Sequence, residues 1–352
     1  MTTLGIDARM LGPSGIGRYL GALLPRVLPT LAPQRVTVYG RLETLREQPW
    51  SELPHVTIKR CRAPVYGLTE QAALTRIAAG MTSFWSPHVN VPMLYRGRLV
   101  VTVHDTYHLL PEARRAVRID KRLYLQQLYR AVARKAERIL CVSDFGAKEV
   151  KRRLGVPGER ITVIPNGVDA ETFGAQAAPP VHERPYLLFV GNDKPHKNLR
   201  RLMLAFDRVA DDVEHDLLLV GRCAGADADN PRPDRIVRQG AVDDDTLRRL
   251  YAQATALVMP SLYEGFGLPP LEAMASDTAV VAARAASLPE VCGDAALYVD
   301  PYRIDDMAAA LATICRDGDL RARLIAAGRD RVAVFTWPRS AEATSTELRA
   351  FS

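Results

Sequence analysis

Short, unbroken apolar runs, each followed by a helix-periodic stretch, constrain this chain more than any other feature. Val36-Thr37-Val38-Tyr39, Val100-Val101-Thr102-Val103 and Ile139-Leu140-Cys141-Val142 recur in the first half. Tyr186-Leu187-Leu188-Phe189-Val190, Asp216 to Val220, Ala256 to Met259 and Thr278 to Val281 recur in the second. A strand with one wet face alternates apolar and polar residues; continuous runs fit strands covered by helices on both faces. Helical patterns lie between them, over Leu123 to Glu137, Leu199 to Val209, Thr246 to Ala254 and Met307 to Asp317. This alternation predicts α/β architecture with doubly wound parallel sheets and right-handed crossovers.

The 352 residues suit two domains of roughly 170 each. The break is expected at Val163-Ile164-Pro165-Asn166-Gly167-Val168-Asp169, where a strand runs into turn chemistry, followed by the linker-like 174–180. Thr336-Trp337-Pro338-Arg339-Ser340 ends one helix and opens another. The expected organisation is a Rossmann-like domain over residues 1–168, with a C-terminal helix 338–352 packed back on it, and a second Rossmann-like domain over 169–337. Ligands of such sheets gather at the carboxyl ends of the strands, so a cleft between two facing domains is the expected site.

Composition narrows the class. Hydrophobic residues form 47% and charged ones 25%, enough for a sizeable core. No stretch approaches the ~20 apolar residues that span a bilayer. The N-terminus reads as a strand, Thr3-Leu4-Gly5-Ile6-Asp7, and not as a signal peptide. Cys61, Cys141, Cys223, Cys292 and Cys315 are scattered without a C-x-x-C pair, which predicts reduced thiols and a cytoplasmic setting. Charge is uneven. Residues 1–169 hold 26 Lys+Arg against 13 Asp+Glu, a net of +13, and the remaining 21 against 27 give −6. A basic first half fits an anionic partner: nucleic acid, a membrane surface or a diphosphate-bearing acceptor. Arg114, Arg115, Arg118, Lys121 and Arg122 concentrate that charge, and a solvated helical face explains them as well.

The most specific motif is Glu264-Gly265-Phe266-Gly267-Leu268-Pro269-Pro270-Leu271-Glu272, directly after the strand Ala256 to Met259. Two carboxylates flank a Gly-rich turn, and Pro269-Pro270 open a helix whose N–H groups and dipole suit phosphate. Glu264 before the turn and Glu272 in the first helical turn are expected to point into one pocket and accept hydrogen bonds from sugar and ribose hydroxyls. Gly12-Pro13-Ser14-Gly15-Ile16-Gly17 precedes a helix expected to begin near Arg18, and Gly15 and Gly17 would let the backbone approach a bulky anion. His104-Asp105 ends the strand Leu99 to Val103 at its ligand-binding end. A metal site from His104, Asp105 and His108 has poor coordination spacing; His108 reads as surface and Asp227-Ala228-Asp229 as a solvated loop.

These blocks resemble the retaining glycosyltransferases of the GT-B fold with an E-x7-E motif, family 4. The resemblance runs from Gly5-Ile6-Asp7-Ala8-Arg9 and Ser14 to Tyr19, through His104-Asp105 and Ile164 to Asp169, to Lys197-Asn198-Leu199, Pro260-Ser261, Glu264 to Glu272 and Ser287-Leu288-Pro289-Glu290-Val291. The N-terminal block looks most like bacterial mannosyltransferases of surface polysaccharide synthesis. The resemblance implies that His104 and Glu264 contact the donor sugar and Glu272 the nucleotide ribose. It also implies that backbone N–H groups of Phe266, Gly267 and Leu268 reach the sugar and distal phosphate, and that Lys197 neutralises the diphosphate. The family's usual Arg partner is missing: Asn192 and His196 stand where it commonly appears, leaving Lys194 or a protonated His196 to supply the second charge. The usual Gly after the motif helix is likewise replaced within Ser276-Asp277-Thr278.

The implied activity is hexosyl transfer with retention, GDP-mannose favoured as donor, to a saccharide or polyprenyl-diphosphate-linked acceptor. It needs no metal or other cofactor. A UDP- or TDP-sugar donor is the nearest alternative. A sugar-nucleotide epimerase is disfavoured by the E-x7-E motif, and a nucleic-acid binder by the absence of interleaved aromatic and basic residues. Peripheral contact with the inner face of the plasma membrane is a further expectation for the basic half.

Overall fold

The computed structural model describes residues 3–12, 14–67, 69–115, 118–173, 179–223 and 230–351. Pro13, most of the linker (174–178), the Asp227-Ala228-Asp229 loop and the side chains of Arg114 and Arg115 lie outside the described residues. The chain divides into two units, Met1–Asn166 with Trp337–Ser352, and Gly167–Thr336.

The first unit is built on seven strands: β1 (Thr3–Asp7), β2 (Arg35–Gly40), β3 (Val56–Arg60), β4 (Ser83–Ser86), β5 (Arg98–Val103), β6 (Ala136–Cys141) and β7 (Ile161–Val163). They pair in the order β3-β2-β1-β4-β5-β6-β7, every ladder parallel. Ile6 of β1 lies opposite Val38 on one side and Trp85 on the other, and all three are buried. The second unit has β8 (Tyr186–Asn192), β9 (Asp216–Arg222), β10 (Ile236–Gly240), β11 (Ala256–Met259), β12 (Ala279–Ala283) and β13 (Leu297–Val299). Its order is β10-β9-β8-β11-β12-β13, again all parallel. Its core joins Phe189 of β8 to Met203 and Phe206 on the helix Leu199–Asp207. Each such large apolar side chain contributes about 2–3 kcal/mol by leaving water.

The strands that the apolar runs leave out are mainly edge or near-edge members. β3 and β10 bury little beyond Val56 and Ile236, and β7 and β13 have three residues each. β4 is central and fully buried, but its Ser-Phe-Trp-Ser sequence carries polar residues at both ends. Side-chain caps move two helix starts. The helix expected near Arg18 spans Gly15–Val27, because Ser14 Oγ accepts from Gly17 N at 3.0 Å. Asp243 does the same for Asp244–Gln253, accepting from Thr246 N at 2.7 Å. The helix expected over Leu123 to Glu137 runs Ile119–Lys135, and Ala136 and Glu137 open β6.

The C-terminal helix Trp337–Ala350 lies against Gly15–Val27 within the first unit. Trp337 meets Tyr19 with ring centroids 6.3 Å apart, Thr30 Oγ1 donates to Ser345 Oγ at 2.9 Å, and Thr162 Oγ1 donates to Glu347 Oε1 at 2.9 Å. All five cysteines are free thiols, four of them buried. Among the described residues no helix is long and apolar enough to cross a membrane.

Candidate active site

In each sheet the strand order reverses once, and such switch points are where open α/β sheets hold ligands. In the second unit the reversal lies between β8 and β11. The segment after β8 folds tightly: Asn192 Oδ1 accepts from Lys194 N at 3.1 Å, and Pro195–Lys197 form one short helical turn. Asn192 therefore closes a turn where the family's Arg commonly stands. Asn198 follows in the left-handed region, φ 59, and is buried. Its Nδ2 donates to Pro260 O at 3.0 Å and to Pro301 O at 2.8 Å, while Leu262 N donates to His196 O at 2.8 Å. These bonds stitch the loop after β8 to the loop after β11.

The stitching brings Lys197 Nζ to 2.7 Å from Glu264 Oε1. Their side chains keep 15% and 12% of their surface, so the pair is largely but not wholly buried. Lys194 is exposed, its backbone N–H bonded to Asn192 Oδ1 and its carbonyl accepting from Lys197 N at 2.9 Å. His196 is half-buried and its Nδ1 is enclosed.

The Gly-rich turn is held from outside the motif. Ser287 Oγ lies within hydrogen-bond distance of Glu264 O (3.0 Å) and Phe266 O (2.7 Å). Phe266 is anchored edge-on against Phe335, centroids 5.6 Å apart. Gly267 adopts φ +109, a conformation that L side chains rarely take, and caps the helix Leu268–Ala275. Leu268 is the first residue of that helix, and Pro269 and Pro270 follow where a missing N–H costs least.

Glu272 departs from expectation. The helix begins at Leu268, so Glu272 stands at the start of its second turn, and no acid occupies the first. It is buried, and Tyr251 Oη donates to its Oε2 at 2.8 Å. Glu264 and Glu272 thus have separate partners, Lys197 for one and Tyr251 for the other. Spacing along the motif could not reveal either pairing.

In the first unit His104 follows β5. Its Nε2 lies 2.9 Å from Pro87 O, so that nitrogen carries the proton and Nδ1 presents a lone pair. Burial lowers its pKa to about 4, outweighing the Pro87 carbonyl and the Asp105 carboxylate, so the imidazole is neutral at pH 7. Tyr19 meets its ring edge-on at 4.7 Å. Asp105 does not hold His104; its Oδ1 accepts from Tyr107 N at 2.9 Å. His108, expected at the surface, is half-buried with an enclosed Nδ1.

The Gly loop also corrects its expectation. A Cβ on Gly17 would sit 1.8 Å from Gly12 O, so glycine here lets the loop pack on its own helix. Gly17 N is already engaged by Ser14 Oγ. Gly15 is exposed, with nothing within 4 Å of an added Cβ. Of the basic cluster, Arg118 pairs with Asp120 at 3.3 Å and Lys121 Nζ lies 5.0 Å from the Tyr66 ring centroid. Ile119 and Leu123, one turn apart on the same helix, are 75% and 54% exposed.

The sequence model described as Glycosyl transferases group 1 matches residues 173–331, and that described as Glycosyltransferase Family 4 matches residues 73–172. O-antigen chain mannosyltransferase B of Escherichia coli is 32% identical over 258 residues, 68% of this chain and 67% of the relative. The chain belongs to glycosyltransferase family 4. The MMP alpha-(1->4)-mannosyltransferase of Mycolicibacterium hassiacum is 33% identical over 231 residues, 62% of this chain and 55% of its own. The matches therefore span about half to two thirds of these relatives. Among solved structures, sucrose-phosphate synthase of Thermosynechococcus elongatus superposes with TM-score 0.78 at 20% identity over 99% of both chains. Anabaena HepE in complex with UDP and glucose gives 0.75 at 16% identity, covering 99% of this chain and 100% of that one. These likenesses fix the GT-B fold for this family 4 member.

Proposed function

We propose that this glycosyltransferase moves a mannosyl group from GDP-mannose, with retention and without metal, to a saccharide or lipid-diphosphate-linked acceptor in surface polysaccharide synthesis. The observation that carries the reading is the Lys197–Glu264 pair at the switch point of the second sheet. In it a cation for the donor diphosphate adjoins a carboxylate for sugar hydroxyls. The names of the mannosyltransferase relatives support the sugar and the setting.

In this reading Lys197 stabilises the charge that develops on the leaving diphosphate, with exposed Lys194 as the second cation, and the N–H groups of Phe266, Gly267 and Leu268 assist. Glu264 accepts from the donor sugar, and Glu272, held by Tyr251, accepts from the ribose. His104 offers the Nδ1 lone pair of a neutral ring to a sugar hydroxyl. The bond from the anomeric carbon to phosphate oxygen breaks as the bond to the acceptor oxygen forms on the same face. The acceptor's proton passes to the diphosphate, so no covalent nucleophile is required. Arg118 and Lys121 beside exposed Ile119 and Leu123 support peripheral contact of the first unit with an anionic membrane.

A thermal-shift panel tests the donor. GDP and GDP-mannose should raise the melting temperature, corresponding to about 2.7 kcal/mol at 100 times Kd, whereas UDP and TDP should not. A shift with UDP alone overturns the donor, and turnover abolished by EDTA and restored by Mn²⁺ overturns the metal-free mechanism.

A further inference from the structure

The first sheet has its own switch point, between β1 and β4, and a buried charge network sits at its carboxyl end. Asp7 closes β1. Arg9 donates to it through Nε (2.9 Å to Oδ1) and Nη2 (2.7 Å to Oδ2), while Arg9 Nη1 lies 3.0 Å from Glu70 Oε1. Glu70 also accepts from Asn90 Nδ2 at 3.0 Å and from Tyr124 Oη at 2.6 Å, and His88 Nε2 lies 3.2 Å from Asp7 Oδ2. Asp7, Arg9, Glu70 and His88 are all buried. Burial opposes ionisation of Asp7, but the Arg9 cation and His88 hold its carboxyl well below the usual range.

Apolar residues of equal volume often stabilise a core as well as such a network does, so its presence calls for a role in fixing a conformation. What it fixes is the irregular segment Cys61–Gly67. Arg9 Nη1 donates to Ala63 O at 3.2 Å, and Tyr66 N donates to Glu70 Oε2 at 3.0 Å. At the second anchor Tyr66 is forced to φ 63, a left-handed conformation that an aromatic residue adopts only when its surroundings impose it. Its half-buried ring carries Lys121 Nζ 5.0 Å from the centroid. Burial and the neighbouring Asp105 and Glu70 carboxylates push the phenol up, so its O–H remains a donor at neutral pH.

We propose that Tyr66 contacts the acceptor, offering an aromatic face and a phenol O–H to a sugar ring, and that Arg9 and Glu70 are positioning residues that hold it at the switch point. Aromatic faces and fixed hydroxyl donors suit a polar ring with apolar C–H faces. The inference rests on the glycosyl-transfer reading and names where its acceptor binds.

Hydrogen exchange tests it on the full chain, with GDP and a panel of methyl glycosides headed by methyl α-D-mannopyranoside. Addition of glycoside to the GDP-bound protein should slow exchange over residues 61–67. Tyr66→Gly, which accepts φ 63 without strain, should abolish that slowing and raise the acceptor KM about tenfold or more. Tyr66→Phe, keeping the ring, should restore most of it. GDP protection over 192–199 and 261–268 should be the same in all three proteins. Glycoside protection elsewhere or nowhere, with the GDP footprint intact, overturns the Tyr66 assignment alone. Absence of the GDP footprint in the unaltered protein overturns the functional reading and this inference with it.

Discussion

Both sheets place charged side chains beside the strands that flank their switch points, but the two clusters are built differently. After β1 and β4, Asp7, Arg9 and His88 join Glu70 in a network where both oxygens of each carboxylate are engaged and no member is more than 9% exposed. After β8 and β11, Lys197 and Glu264 share one contact at 2.7 Å and are not wholly buried. A buried, fully engaged network cannot exchange partners cheaply, so its work is to hold backbone in place. A single pair that is not sealed from solvent has one contact to exchange, so it can give up its partner to a ligand more readily than the network can. Equivalent positions in two related sheets thus divide into a scaffold and a receptor.

The largest expected effect comes from breaking the scaffold. Arg9→Met leaves the Asp7 and Glu70 carboxylates buried without their cation and should destabilise the first unit by about 3–5 kcal/mol. Calorimetry should register a fall on the order of 10 °C in melting temperature. A fall of only a degree or two would mean that the network is dispensable.

Breaking the receptor should do the reverse. Lys197→Ala should leave the melting temperature nearly unchanged and lower turnover by roughly 10²–10³, the usual cost of one strong electrostatic donor. Normal turnover would transfer the role to Lys194. A third test uses pH on the first unit. The folded-state pKa of His104, about 4, lies below its ordinary value of 6.5. The unfolded chain therefore binds a proton first as pH falls, and stability present above 6.5 is lost progressively between 6.5 and about 4. Urea titrations across that window should show a loss of about 3 kcal/mol that is absent in His104→Gln. The same slope in both proteins would place the titration elsewhere.

The smallest effect concerns the surface. Arg118→Glu should reduce sedimentation with anionic vesicles by about 1 kcal/mol, with none to neutral vesicles in either protein. Equal partitioning into both lipids would leave a soluble acceptor as the better account.

The sequence made the interior strands legible because β8, β9, β11 and β12 are continuously apolar, and it marked Glu264, Glu272 and Lys197 by motif. It did not disclose the links between them. Lys197 and Glu264 stand 67 residues apart, joined through Asn198 and Leu262, whose roles depend on which carbonyls the fold brings near. Ser287 was visible within a family block, but nothing in its type showed that its hydroxyl braces Glu264 and Phe266. Tyr251 carried no signal at all for its bond to Glu272. Gly17 was legible as a loop glycine and misread in purpose, since its crowding partner is Gly12 O. Arg9 was seen in its block. An Asp and an Arg two residues apart at a strand's end, Asp7-Ala8-Arg9, is the pattern that could have flagged the network, but Glu70 and His88 reach it only through strand order.

The proposed mechanism rests on the donor diphosphate binding at Lys197 in the second unit. Isothermal titration of GDP-mannose into the unaltered chain, Lys197→Ala and Tyr66→Gly tests it most directly. Affinity should fall at least about tenfold in Lys197→Ala, the loss of a charge-assisted contact, and stay unchanged in Tyr66→Gly. Full affinity in Lys197→Ala, or a loss confined to Tyr66→Gly, would contradict it.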